Sequence, residues 1–176
     1  MTKTNLRLAA VALAAFTLIA LAVAPLTAEH HETSSPGSIE WKANNAMYSA
    51  HGSFKNWKFT NVDVPDGDIE KATVELEISL TSVSEKAEAL AEHLRQADFF
   101  NVAKFATSTV KIHGATKTGD NTYDATATVD LHGHTSDVPV SFTVVGTSPL
   151  QIEGTATLQR TAFGIGGPYD ASNERS

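Results

Sequence analysis

Seven histidines in a chain of 176 residues without cysteine raise metal chemistry first. In His132-Gly133-His134 the two imidazoles stand two residues apart, and on a strand that spacing puts both on one face, within reach of one ion. Gly133 stands where the backbone turns, so a pair of turn-flanking polar side chains is the alternative. His30-His31 falls in a polar segment, and His51, His93 and His113 are scattered over separate elements. The absence of Cys removes thiol catalysis, thiolate metal sites and disulfides together. Asp66 and Asp68 mimic an acid pair, but they flank Gly67 in a turn, where solvated carboxylates are the plainer reading. There is no Gly-x-Ser-x-Gly elbow and no His-Glu-x-x-His. Gly164-Ile165-Gly166-Gly167 has neither the spacing nor the βαβ context of a dinucleotide site. Arg160 is more informative. It follows an apolar row ending at Leu158 and precedes Phe163-Gly164, which sets a cation beside an aromatic at a strand end; a surface salt bridge is the other reading.

The elements that must position these groups are mostly strands. Residues 39–43 alternate, residues 46–54 form a second strand, and the alternation then slips, because Trp57 and Phe59 fall in the other parity. A bulge or turn at Lys55-Asn56 accounts for the slip. Pro65-Asp66-Gly67-Asp68 is a turn. Val74, Leu76, Ile78 and Leu80 then point one way and Glu75, Glu77 and Ser79 the other, a wall with one buried and one solvated face. Residues 82–96 switch to a helical period: Ser82 and Glu85 match a capping box, and Ala87, Leu90, Ala91 and Leu94 make an apolar stripe. Asp98-Phe99-Phe100 adds an aromatic corner. Strands resume with Ser108, Val110 and Ile112, a turn at residues 116–121, and the row Ala125, Ala127, Val129 and Leu131. Val138, Val140, Phe142 and Val144 follow, then a turn at residues 146–149 and the row Ile152, Gly154, Ala156 and Leu158. Evenly spaced strands with Gly, Pro and Asp turns indicate an antiparallel sandwich or barrel.

The N-terminus reads as an export leader. Lys3 and Arg7 precede an uncharged apolar run over residues 8–24, and small residues lead to Glu29. Cleavage after Ala28 fits, despite bulky Leu26 at the −3 position; a retained anchor is the alternative, since the run approaches a membrane-spanning length. The division is then residues 1–28 leader, 29–38 flexible lead-in and 39–176 a single domain. Cleavage would leave 176 − 28 = 148 residues and, with two cations removed, take the formal charge from −7 to −9. Such a surface disfavours nucleic acid and anionic membranes as partners.

The inward rows contain unusually small residues: Ala125, Ala127, Gly154 and Ala156. Either they let the opposite wall come close, or they leave space inside a barrel, as in ligand carriers.

Four stretches resemble one family. They are Ile78-Ser79-Leu80-Thr81-Ser82; His93-Leu94-Arg95 through Asp98-Phe99-Phe100 to Lys104-Phe105; Leu131-His132-Gly133-His134-Thr135; and Arg160-Thr161-Ala162-Phe163-Gly164-Ile165. In this order the chain resembles the YceI-like polyisoprenoid-binding proteins, exported lipocalin-like domains of Gram-negative bacteria, over residues 39–165. Two departures stand out. Ala106 replaces the usual Pro after the Lys-aromatic pair, and the sequence stops at Ser176, before the closing C-terminal strand of the family. A fragment, or a barrel lacking that strand, is the expectation.

The resemblance implies an all-β, lipocalin-like, eight-stranded antiparallel barrel with one short amphipathic helix, holding an isoprenoid or quinone-like lipid. The residues expected to line its tunnel are Trp41, Leu76, Ile78, Val129, Leu131 and Phe142, with Leu90, Leu94, Phe99, Phe100 and Phe163 on the helix side. No catalytic residue, metal or further cofactor is expected. The protein would be a periplasmic, non-enzymatic carrier or sequestering protein, with at most transient membrane contact and a homodimer allowed. Two other readings stay open: an interaction module with a filled core, and a metal-dependent enzyme using His132 and His134.

Overall fold

The computed structural model describes residues 15–24, 37–44, 49–147 and 150–166. Ten strands occur among them: β1 (Ala15–Ala24), β2 (Ser38–Asn44), β3 (Ser49–Phe54), β4 (Trp57–Asp63), β5 (Thr73–Ser79), β6 (Val83–Glu85), β7 (Thr107–Lys117), β8 (Thr122–Leu131), β9 (His134–Thr147) and β10 (Leu150–Leu158). One helix, α1 (Glu88–Leu94), lies between β6 and β7. All strand pairs are antiparallel, in the order β4-β5-β7-β8-β9-β10-β1-β2-β3-β6.

The two ends of that order are the same pair of bent strands. The chain runs from β3 into β4 across Lys55-Asn56, and from β5 into β6 through a 3-10 turn, Leu80–Ser82. β4 pairs with β5 and β3 with β6, while Lys55 N–H donates to Ser82 O at 3.2 Å and Ser79 N–H to Asn56 O at 2.9 Å. The corner expected from the parity slip is therefore where the sheet curls back on itself. Counting each bent pair as one strand, ten strands become eight around the barrel.

The alternating rows behave as their pattern requires. Along β5, Val74, Leu76 and Ile78 are buried while the residues between them are half-exposed. Outside, Glu75 meets Lys111 at 2.9 Å and Glu77 meets Lys58 at 3.7 Å. His132 and Gly133 both have positive φ, 56° and 76°, and form a two-residue turn between β8 and β9.

The helix is shorter than its sequence pattern. It begins at Glu88 and not at Ser82, because Val83–Glu85 forms the β6 ladder with β3 instead. The capping box does not form. Ser82 Oγ donates to Ser79 O at 2.6 Å and accepts from Asn56 N–H at 3.0 Å, while the Glu85 carboxylate accepts from Ala87 N–H. A seven-residue helix has little stability of its own, so sheet pairing of buried Val83 outweighs two more helical turns. Of the stripe, Ala91 and Leu94 are buried and Leu90 packs partly against the core; Ala87 precedes the helix.

β1 lies within residues 1–28. These residues belong to the segment expected to be a leader, and in the sheet they lie between β10 and β2. They pair with β10 from Phe16↔Leu158 to Ala24↔Leu150 and with β2 from Ala15↔Asn44 to Leu21↔Ser38. Two neighbouring edges otherwise lack ladder partners, and any extended segment long enough satisfies them. The lead-in at 29–36, and parts of the loops at 45–48 and 148–149, lie outside the described residues.

Candidate ligand-binding lumen

The barrel encloses a cavity of about 140 Å³. Its wall is almost wholly apolar, drawn from β2 to β5, β7 to β10 and the segments at each end. Seven of the eleven residues expected to line a tunnel border it: Leu76, Ile78, Phe100, Val129, Leu131, Phe142 and Phe163. Trp41, Leu90, Leu94 and Phe99 do not; Trp41, Leu94 and Phe99 are buried in the packed core and Leu90 lies against it. Further lining residues, such as Val74, Leu80, Val110 and Ile112, belong to rows whose alternation was already readable. Phe54, Trp57 and Phe59 were harder to find, because the corner between β3 and β4 switches the parity of the chain.

The small residues serve both purposes considered for them. A Cβ on Gly154 would lie 3.0 Å from Phe142 Cβ and 3.3 Å from Ser141 O, so glycine there lets β9 and β10 approach. Ala127, Gly154 and Ala156 also border the cavity, where larger side chains would occupy it.

The four family-like stretches meet at one end of the barrel. Arg95 ties α1 to the wall through Nη2–H to Val83 O at 2.7 Å, Nε–H to Thr81 O at 3.3 Å and an ion pair with Glu88 at 3.1 Å. Phe100 N–H donates to Leu94 O, and its ring meets Phe54 at 5.8 Å. Asp98 O accepts from Gly166 N–H at 2.8 Å, joining the aromatic corner to the segment after β10. His93 stands 4.8 Å from the Phe99 ring and 3.8 Å from the Asp98 carboxylate. The turn between β8 and β9 joins the same cluster. His132 Nδ1–H donates to Phe163 O at 3.1 Å, its ring lies 4.9 Å from Phe105, and Lys104 stands over Phe105 at 5.0 Å. Gly133 fits because a Cβ there would lie 2.8 Å from the Phe105 ring.

These bonds give the histidines structural work. His132 and His134 rings are 6.4 Å apart, but His132 Nδ1 is engaged by a carbonyl. On the outer face Thr128 Oγ1 donates to Asp137 at 2.6 Å, so His113 Nε2–H donates to Thr128 at 3.0 Å. No group of three or more His, Asp or Glu side chains suited to a metal occurs among the described residues.

Arg160 is neither at the surface nor explained by a surface salt bridge. It is 3% exposed, at the start of a 3-10 turn, Arg160–Phe163, and borders the cavity. Its Nη1 donates to Ile165 O at 2.7 Å and Gly166 O at 2.9 Å. Gly166 has φ +66°, and a Cβ there would stand 2.9 Å from Arg160 Nη1, so the carbonyl cradle depends on glycine. Ser108 also borders the lumen, with its hydroxyl donated to Asp130 O at 2.6 Å.

Comparison with known proteins agrees with this architecture. A family model described as the YceI-like domain matches residues 30–174, a span that begins after β1. Among curated relatives, the UPF0312 protein of Pseudomonas savastanoi pv. phaseolicola is 30% identical over 145 residues, covering 76% of this chain and 73% of the relative. The UPF0312 protein of Pseudomonas fluorescens is 30% identical over 143 residues, with the same two coverages of 76% and 73%. The YCEI protein of Campylobacter jejuni has a similar structure, with TM-score 0.61 at 18% identity over 76% of this chain and 81% of that one. BcnA of Burkholderia cenocepacia gives TM-score 0.55 at 13% identity, over 81% of this chain and 96% of that one. At such identities the structural likeness concerns the fold. With its barrel, its capped end and the family match across residues 30–174, the chain belongs to the YceI-like family.

Proposed function

We propose that the protein is a non-enzymatic binder of an amphiphilic lipid of isoprenoid or quinone type, which it carries or sequesters in the periplasm. The observation that carries this reading is the apolar cavity of about 140 Å³ inside the barrel. A module with a filled core would need no such space. Catalysis is disfavoured by the polar groups at the lumen: a serine nucleophile needs a base to take its proton, and the Ser108 proton is held by a backbone carbonyl. Export rests on the basic and apolar pattern of the N-terminal residues alone.

The volume bounds the ligand. A dry apolar cavity of about 150 Å³ accepts a benzene-sized guest. The lumen as it stands therefore accommodates a ring or a short branched segment of a prenyl chain. At about 0.8 kcal/mol per buried CH₂, six enclosed carbons supply roughly 5 kcal/mol before losses. That corresponds to sub-millimolar binding. A longer chain must move side chains such as Phe100 and Phe142 to gain more.

Mass spectrometry of organic extracts of the purified protein tests the proposal. A stoichiometric prenyl or related lipid is the expected result. A lipid-free protein that also takes up no added prenyl chain would refute it.

A further inference from the structure

We propose that Ser108 is the polar anchor of the lumen and selects amphiphiles that end in a hydrogen-bond donor, a neutral hydroxyl above all. This rests on the lipid-binding reading and gives the ligand a head group and a direction. Ser108 interrupts the apolar row it shares with Val110 and Ile112, borders the cavity and is 4% exposed. The other polar residues in the described lining are Thr155 and Arg160. Thr155 is exposed, between Gly154 and Ala156 on β10, and Arg160 is already engaged, in part by Ile165 O and Gly166 O. A guanidinium also offers donors only. Ser108 is therefore the buried side-chain acceptor of the described wall.

The geometry fixes which way that hydroxyl can work. Its proton goes to Asp130 O at 2.6 Å, across the ladder between β7 and β8. A hydroxyl has one proton and two lone pairs, so what Ser108 has left is acceptor capacity. Among the described residues no donor is bonded to that oxygen. A ligand hydroxyl supplies one, whereas an ether, an ester or a carboxylate brings only acceptors. Pockets of this kind take their selectivity from a few polar groups in an apolar wall. The place of Ser108 gives the direction. It pairs with Ile78 near the start of β7, where Leu80 N–H donates to Ala106 O and the cap begins. Ala115 stands further along β7, in the apolar cluster with Phe142, Val144 and Leu150, roughly 20 Å away at the ordinary strand rise. A hydroxyl at Ser108 therefore sends the chain away from the cap, towards that cluster.

The test uses the delipidated full chain with geraniol and geranyl methyl ether, measured by calorimetry at neutral pH. The quantity read is the ratio of the two affinities, compared between the unaltered protein and Ser108→Ala, which cancels the different hydration of the two probes. The preference for geraniol should fall about five-fold or more in the variant, the scale of one hydrogen bond, with the loss carried by geraniol. An equal ratio in the two proteins overturns the proposal and leaves Ser108 as a tie between β7 and β8. If neither probe binds the unaltered protein, the lipid-binding reading fails and takes this proposal with it. A second measurement needs no variant. Isotope-filtered NMR of geraniol bound to the unaltered protein should show Overhauser contacts from the methylene that bears its hydroxyl to Ser108, and from its terminal methyls to Ile112. The opposite orientation, or a hydroxyl end that makes no contact with Ser108, contradicts the proposal.

Discussion

The capped end and the lumen wall are built from the same apolar residue types at the same low exposure, yet they differ in what lies opposite them. At the cap, Leu94 is 2% and Phe99 4% exposed, and neither lines the cavity. In the wall, Leu76 is 6% and Ile78 4% exposed, and both face the cavity. Burial alone cannot separate the two regions. The separation comes from the volume of the partners, since the wall is opposed in part by Ala127, Gly154 and Ala156, whereas the cap closes on rings and long aliphatic chains.

Substitution can break that comparison. Leu94→Ala should cost about 3–5 kcal/mol, because a packed site keeps its cavity. Ile78→Ala should cost clearly less, because some of its side chain already borders a void. Urea denaturation measures both, and equal losses would mean that wall and cap are packed alike. Next comes Gly52→Ala, between these regions on β3. Its Cβ would lie 1.9 Å from Ser84 O and 2.7 Å from the Trp41 ring, so the β3–β6 pairing must shift, at about 1–3 kcal/mol. Unchanged stability would show that this corner is looser than its geometry.

Ala127→Leu sharpens the comparison from the other side. Added volume goes into the lumen, so stability should change by less than about 1.5 kcal/mol while affinity for a short prenyl chain falls. Unaltered affinity would place the ligand elsewhere. The smallest effect lies at a solvated turn. The Lys71 hydrogen bond, helped by the Glu70 N–H, holds the Asp68 carboxyl below its usual range. A lowered folded-state pKa gives stability that is present above the ordinary carboxylate range and lost as pH falls through the folded value. Asp68→Asn should therefore flatten the acid side of the stability profile slightly, and acid titration by circular dichroism would read the difference.

Much of this was legible in the sequence. The β5 row was clear because strict alternation with Glu75 and Glu77 admits one orientation only. The corner at Lys55-Asn56 announced itself by a parity slip, although the slip hid Trp57 and Phe59 as lining residues. The helix was overread, because Ser82 and Glu85 satisfy a local pattern that pairing with β3 overrides. Trp41 and Phe99 carried the right chemistry for a lining but sit in solid packing, and no single-sequence signal reports what stands opposite. The least legible element was β1. Its apolar run lacks the two-residue period of β5, and its place is set by the unpaired edges of β2 and β10, far away in sequence. Arg160 was noticed for its neighbours, but its burial follows from the Gly166 cradle, which exists only after folding.

The claim at the centre of this account is that an apolar chain occupies the space between these walls. Methyl-resolved NMR of the delipidated chain titrated with geraniol tests it directly. The expected result is a set of nuclear Overhauser contacts from the prenyl methyls to Leu76, Ile78 and Val129. Contacts confined to the outer surface, for instance at exposed Val145, with none to those three residues, would contradict it.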